Sequence, residues 1–106
     1  MNPTIDILMA HKSIRKFTDE PLGNDVLRTI ITAGQAAASS SFLQGVTIIR
    51  VTDTVKRKQL AAIAGNQAQV ISAPEFLVFC ADLGRPIKCC EAHGGIPTKG
   101  FTEQFI

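Results

Sequence analysis

The chain has 106 residues, of which 45% are hydrophobic and 19% are charged, and its net charge is +2. A chain of this length is expected to form one domain, and its composition is typical of a globular protein rather than a disordered or disulfide-rich one. The small positive charge excludes nucleic-acid binding by bulk charge, and no apolar run is long enough to span a membrane. Three cysteines, two of them adjacent, favour free thiols and a reducing, cytoplasmic location.

The first part of the chain predicts two helices separated by an irregular connection. Asn2 and the proline after it are typical of a helix start, and the apolar residues that follow have helical spacing. The segment His11–Phe17 indicates the end of this helix and an extended stretch, and Asp19–Gly23 indicates a loop. Asn24 is expected to cap a second helix, which ends near Ala37.

The apolar, β-branched segment Val46–Val51 predicts a strand covered on both faces, and the apolar segment Phe76–Ala81, opened by Pro74, predicts a second strand. Between them, Asp53 is expected to cap a helix over Thr54–Ala64, which Gly65 ends. The residues expected to face the core from this helix are Val55, Leu60 and Ile63.

The last part of the chain contains several glycines and prolines, which predict a long irregular loop over Asp82–Lys99. In this loop Cys89 and Cys90 are expected to be exposed, whereas Cys80 is expected to be buried in its strand. The residues Phe101–Ile106 indicate the opening turn of another helix. Two central strands are too few for a stable sheet, so we expect another part of a protein to complete it.

The polar cluster His11-Lys12-Ser13-Ile14-Arg15 has two interpretations. If the segment is extended, Ser13 and Arg15 share one face, where a hydroxyl and a guanidinium fork suit a phosphate group. His11 and Lys12 then add donors. In the other interpretation the cations only compensate the dipole at the C-terminal end of the first helix.

Two further clusters present polar groups suited to a flat ligand. In Ser39–Phe42 the small side chains let a ligand approach the backbone, and the aromatic ring forms an edge of an apolar pocket. In Gly65–Gln67 the amide groups offer the donors and acceptors that a heterocycle needs. The alternatives are a serine-rich helix exit with Phe42 in the core, and a simple capping loop.

The remaining motifs predict no catalytic side chain and no metal centre. Cys89-Cys90-Glu91-Ala92-His93 is a poor metal site, because adjacent cysteines seldom place both thiolates on one ion and no second cysteine pair exists. The sequence contains no G-x-S-x-G, G-x-G-x-x-G or phosphate-binding loop motif.

Taken together, these residues resemble the beginning of the NADPH-dependent nitroreductase family, in particular the oxygen-insensitive major nitroreductases and the flavin reductase of luminous bacteria. The resemblance runs in continuous register over residues 1–83 and returns at Phe101-Thr102-Glu103. The segments that carry it are Asn2–Thr18, Ala37–Gln44, Ile49–Asp53, Ala64–Gln67 and Ala73–Asp82. It implies an α+β fold with helices packed on a central mixed or antiparallel sheet. Residues 1–106 would be the N-terminal portion of a single domain, because family chains are more than twice as long.

The resemblance also implies a homodimer with one FMN per site, which passes hydride from NADPH to nitroaromatics, quinones or free flavin. The positions that match the family's grip on the FMN phosphate and ribityl end are His11, Ser13 and Arg15, with Lys12 in place of the usual arginine. Ser39 matches a hydroxyl near the flavin and Gln67 an amide near its ring system, while Ser41 and Phe42 border the substrate slot. The alternatives of another class are a small phosphate- or nucleotide-binding module and a non-catalytic interaction fragment.

Overall fold

A computed structural model describes residues 2–96 of the chain. Its elements, in chain order, are helices α1 (Pro3–Met9) and α2 (Asn24–Gln35), strand β1 (Val46–Arg50), helices α3 (Thr54–Ile63) and α4 (Ala68–Ser72), strand β2 (Leu77–Ala81) and helix α5 (Gly84–Ala92). A single 3-10 turn, Ser40–Phe42, precedes β1. The predicted helix turn at Phe101–Ile106 lies outside the described residues.

The two strands form an antiparallel pair in which Ile48 lies opposite Phe79. Both strands were predicted, each ending within one residue of its observed bounds. The expectation that β1 is covered on both faces is wrong for the described residues, because Val46 and Ile49 stay exposed on opposite faces. Cys80 was expected to be buried and is only partly so.

Helix α2 approaches one face of this strand pair through its last turn. A Cβ atom at Gly34 would lie 3.4 Å from Cε1 of Phe79 and 3.6 Å from Cδ1 of Ile48. Glycine therefore lets the helix backbone come close to the two aligned apolar side chains of the sheet. The predicted cap of α2 is wrong by one residue, because the extended N-cap is Gly23 and Asn24 is already helical.

Helices α3 and α4 form the best-packed part of the described chain. Asp53 caps α3 as predicted, and its Oδ1 atom accepts hydrogen bonds from the backbone N–H groups of Val55 and Lys56. The predicted core face of α3 is wrong, because Val55 and Ile63 are mostly exposed. The buried residues of this helix are Arg57 and Ala61.

The predicted loop over Asp82–Lys99 contains helix α5, so this prediction is wrong. Pro86 lies in the first turn of α5, where no intrahelical N–H donor is required. Gly94, at φ +77°, ends the helix: its N–H donates to Glu91 and that of Gly95 to Cys90. The expected loop thiols are therefore helical, with Cys89 exposed and its neighbour partly buried.

The chain leaves much of its apolar surface open to solvent. Its accessible area is 8761 Å² and its radius of gyration is 17.4 Å. A compact monomer of this mass exposes about 5,800 Å² and has a radius of gyration of about 13 Å. The apolar residues that are buried within the described part are Leu27, Ala61 and Val70. The described elements therefore do not form a closed core by themselves.

Candidate functional site

The turn Ser39–Gln44 is held in an unusual backbone conformation. Ser41, Phe42 and Gln44 have φ values of 52°, 55° and 55°, in the left-handed region that non-glycine residues seldom occupy. The Oγ atom of Ser39 accepts a hydrogen bond of 2.9 Å from the backbone N–H of Gln44 and so closes the turn. Backbone strain of this kind clusters at functional sites.

A cavity of about 530 Å³ lies between this turn, the end of α2 and the sheet. Ser39 and Gln44 line it from the turn, and Gly34 and Ile48 line it from α2 and β1. Its volume is within the range of small-molecule and cofactor pockets. We call it the sheet cavity.

A second cavity, of about 490 Å³, lies between the same turn and helix α5. Ser41 and Phe42 line it, as do Pro86 and Cys89 of α5. Phe42 is 78% exposed, so the alternative interpretation that placed its ring in the core is wrong. We call this second space the helix cavity.

The cluster His11–Arg15 lies on the connection between α1 and α2, which contains neither helix nor strand. All of its residues are exposed, and none of them lines the sheet cavity or the helix cavity. Among residues 2–96, no carboxylate lies within 4.0 Å of its cationic side chains. The structure thus leaves these donors available to a ligand but does not bring them to either cavity.

Gln67 lies apart from both cavities, at the start of α4. Its Nε2 atom donates to the carbonyl of Ala64 at 3.0 Å, and its Oε1 atom accepts from Gln69 at 2.5 Å. Gly65 and Asn66 have positive φ values, and the N–H of Asn66 closes α3 by donating to the carbonyl of Ala61. The capping interpretation of this loop is therefore confirmed, and one N–H of Gln67 remains for a ligand.

The carboxylate of Asp82 connects α5 to the start of β1. It accepts hydrogen bonds from the hydroxyl of Thr47 and from the backbone N–H groups of Gly84 and Arg85. The Thr47 hydroxyl is the main reason why the pKa of Asp82 lies below its ordinary value of 3.8; the Arg85 and Gly84 N–H groups and the Arg85 charge act in the same direction, and burial opposes them.

Two arginines at the cavities differ in how their charge is compensated. Arg50 forms a bidentate ion pair with Glu75, with N–O distances of 2.7 and 2.9 Å, which raises the pKa of Arg50 further. Arg85 donates from Nη1 to the backbone carbonyl of Val46 at 3.2 Å.

The sequence prediction missed the residues that α5 contributes to the cavities. The signals that could have indicated this helix are Asp82, whose side chain caps its first turn, and Gly94, which ends it.

The described residues show neither a metal centre nor a membrane span. In residues 2–96, no three His, Cys, Asp or Glu side chains are grouped so that they could hold a metal ion. Over the same residues, no helix has the length and apolar character that crossing a bilayer requires.

Comparison with known proteins relates the chain to flavin-dependent reductases. The model of the Nitroreductase family matches residues 8–98. Over 85 residues the chain is 60% identical to the NADPH-flavin oxidoreductase of Vibrio harveyi, a match that covers 80% of this chain and 35% of that protein. Over 90 residues it is 48% identical to the oxygen-insensitive NADPH nitroreductase of Salmonella typhimurium, covering 85% of this chain and 38% of that protein.

Solved structures give the same result for the fold. The NADPH:FMN oxidoreductase from Vibrio harveyi complexed with NAD+ has a TM-score of 0.79 at 57% identity, covering 83% of this chain and 38% of that one. NfrA2 of B. megaterium has a TM-score of 0.88 at 44% identity, and the match covers 93% of this chain and 40% of that one. The chain thus spans two fifths or less of the length of these relatives. Since the family model matches most of its residues, the chain belongs to the nitroreductase family, and its α+β fold is part of the nitroreductase fold.

Proposed function

We propose that residues 1–106 are the N-terminal portion of a single FMN-dependent oxidoreductase domain that uses NADPH to reduce nitroaromatics, quinones or free flavin. The observation that carries the proposal is the high identity to two reductases whose names specify NADPH, flavin and nitro compounds. A third relative, from Bacillus subtilis, is named FMN reductase (NADPH) and is 43% identical over 94 residues. The open apolar surface of the described elements agrees with a domain, and a homodimer, in which other residues cover them.

The residues His11, Lys12, Ser13 and Arg15 fit the phosphate end of FMN. A phosphate monoester carries nearly two negative charges at neutral pH and needs charge-assisted donors. These side chains are exposed and, among residues 2–96, have no carboxylate partner, so their donors need no rearrangement to meet an anion. Arg15 offers a rigid fork and keeps its charge, so we expect it to contribute most.

Ser39 and Gln67 fit the ring end of the flavin. The Oγ atom of Ser39 is an acceptor within its turn, so its hydroxyl hydrogen is available to donate to a flavin oxygen or nitrogen. Gln67 keeps one N–H for the same purpose. These two side chains hold and orient the ring system rather than react with it.

Ser41 and Phe42 fit the substrate side of the flavin. The left-handed conformation of both residues turns them out of the fold and into the helix cavity, where an aromatic ring can stack on Phe42. FMN held by these residues would supply the redox chemistry between NADPH and the second substrate. None of the residues named here needs to act as a nucleophile or general base, because their contribution is binding and orientation.

The proposal is tested on a protein in which residues 1–106 are continued to the full length of these relatives, by titrating FMN and following the quenching of flavin fluorescence. Arg15→Ala should weaken FMN binding about ten- to hundredfold, since one charged hydrogen-bond partner contributes roughly 1.5–3 kcal/mol. Arg15→Lys should recover part of this loss, because the charge returns without the fork, and Lys12→Ala should cost less.

Arg28→Ala, an exposed arginine of α2 that lines neither cavity, is the matched control and should leave FMN affinity unchanged. A protein that stays colourless with FMN but binds a nucleotide would support the phosphate-binding module instead. Equal affinity of the parent and both Ala variants at positions 12 and 15 would mean that the cations only serve the dipole of α1.

A further inference from the structure

Arg85 lies where the two cavities meet. It and Gln44 line both the sheet cavity and the helix cavity, while every other lining residue belongs to one of them. The bond from its Nη1 atom to the carbonyl of Val46 holds the guanidinium against the beginning of β1. The backbone of Arg85 is fixed as well. Arg85 lies in the first turn of α5, and its N–H donates to the side-chain carboxylate of Asp82, which precedes the helix.

The guanidinium of Arg85 keeps most of its hydrogen-bond donors free, although the nearby Asp82 carboxylate interacts with its charge. Among residues 2–96, no carboxylate lies within 4.0 Å of its guanidinium, and the described hydrogen bonds use one of its five N–H donors. Arg50, which lines the sheet cavity, is already paired with Glu75 in both of its fork positions. His93, which also lines the helix cavity, has its Nδ1 atom 2.9 Å from the carbonyl of Cys89, so this ring nitrogen is already engaged within α5.

The walls around Arg85 favour an aromatic anion. The described residues that line the two cavities include no aspartate or glutamate, and the nearby carboxylate of Asp82 is bound by the Thr47 hydroxyl and two backbone N–H groups. Phe42, Leu43 and Pro86 provide apolar surface for a flat ring in the helix cavity. A ring that lies against Phe42 therefore shares the helix cavity with the guanidinium of Arg85, which has free N–H donors.

We propose that Arg85 binds an oxyanion, a carboxylate or a phosphate, carried by the aromatic electron acceptor and so selects anionic acceptors over neutral ones. This inference rests on the proposed function for the identity of the acceptor. The guanidinium supplies two parallel N–H donors to the oxyanion, and Ser41 and Phe42 hold the ring. Arg85 is thus a specificity residue that takes no part in electron transfer.

The test is the binding of three nitrobenzenes to the flavin-free protein, measured by titration calorimetry. The probes are 4-nitrobenzoate, 4-nitrophenyl phosphate and the neutral 4-nitrobenzyl alcohol. The parent protein should bind at least one anion about tenfold more tightly than the alcohol, and the anion that is preferred identifies the oxyanion. Arg85→Gln should abolish the preference and leave the alcohol unaffected, and Arg85→Lys should restore part of it.

Two control variants separate this site from other sources of anion binding. Lys88→Gln removes the same charge from α5, and Arg28→Gln removes one from α2, both at exposed positions that line neither cavity. The inference is overturned if the parent shows no anion preference or if either control loses the preference as Arg85→Gln does. It is also overturned if Arg85→Gln weakens all three probes equally, because Arg85 would then only shape the cavity.

The outcome is independent of the FMN titration. A protein that binds FMN but shows no anion preference keeps the proposed function and loses this inference. A protein that binds no FMN loses the proposed function, and its preference among the three probes still decides the role of Arg85.

Discussion

At the residue scale, Arg57 shows how a charge can be buried without an opposite charge beside it. Its side chain is 8% exposed, and its guanidinium donates to the carbonyls of Val70 and Ala73 at 2.9 and 2.5 Å. The cation also lies 5.7 Å from the centre of the Phe76 ring. The carbonyls at the C-terminal end of α4 carry partial negative charge, which stabilises the guanidinium there.

Arg57→Ala should reduce the free energy of unfolding by about 2–3 kcal/mol, because two buried carbonyls lose a charged donor. Arg57→Lys should recover only part of this, since an ammonium group lacks the planar fork that serves both carbonyls. Lys58→Ala, an exposed position on the same helix, is the control, with an expected change within about 0.5 kcal/mol. Urea unfolding followed by circular dichroism measures all three, and equal effects at positions 57 and 58 would contradict this account.

At the scale of elements, helix ends explain both the successes and the failures of the sequence analysis. Local signals sufficed where a cap and a stop are close in sequence, as with Asp53 and Gly65 around α3. Helix α5 was missed because its glycines and prolines look like loop residues, although Pro86 lies in its first turn and Gly94 ends it. The core face of α3 was wrong because Arg57 is buried through contacts with α4, which spacing along one helix cannot show.

For the candidate site, too, the residues marked by local sequence signals were predicted, and those brought together by contacts between elements were not. The Ser39–Phe42 run was recognisable as a candidate site because its small and aromatic residues are adjacent in sequence. The residues that α5 contributes to the helix cavity, including Arg85 and Cys89, were not recognisable from the sequence. Their place depends on the direction in which α5 leaves the end of β2 and passes the Ser39–Gln44 turn. Thr47 and Asp82 fix that direction through a hydrogen bond between residues far apart in the chain.

The attachment of α5 should weaken in acid. A carboxyl group whose pKa is lowered in the folded state contributes stability above its unfolded-state pKa, and this contribution is lost as the pH falls through the folded-state pKa. For Asp82, the contribution is complete at neutral pH and decreases below the ordinary value of 3.8. Protonation removes an acceptor from the N–H groups of Gly84 and Arg85.

We therefore expect the backbone amides of α5 to lose hydrogen-exchange protection, relative to those of α3, as the pH falls below the ordinary carboxyl pKa of about 4. Asp82→Asn keeps an oxygen acceptor for the cap and should flatten this extra pH dependence. Asp19→Asn, an exposed residue of the α1–α2 connection, is the control and should leave it unchanged. An unaltered profile in Asp82→Asn would assign the effect to other carboxyl groups.

At the scale of the whole molecule, the exposed apolar surface is the dominant property. The accessible area of 8761 Å² exceeds the roughly 5,800 Å² of a compact monomer of this mass by about half. On α2, Leu27 is buried while Val26 and Ile30 are 50% and 42% exposed, which leaves an apolar stripe without a cover among the described residues. Contiguous apolar surface of this extent favours contact with other chains or chain segments.

The isolated chain should therefore associate or bind the hydrophobic dye ANS, with a sedimentation coefficient that rises with concentration. Placing charges on the stripe with Val26→Lys and Ile30→Lys should reduce the association, because the added ammonium groups resist burial. Thr29→Lys adds charge elsewhere on α2 and is the control. A monomer with a cooperative unfolding transition and no ANS binding would show that the described elements bury enough surface by themselves.

The antiparallel pairing of β1 and β2 also has a consequence for the order of folding events. Ile48 pairs with Phe79 across the whole α3–α4 segment, so the strands meet only after a long loop closes, at an entropic cost. The bonds from Arg57 to Val70 and Ala73 tie that segment together across separations of 13 and 16 residues, which are shorter than the separation between the paired strand residues. A preformed α3–α4 unit shortens the effective loop, so this unit would set the rate at which the sheet nucleates.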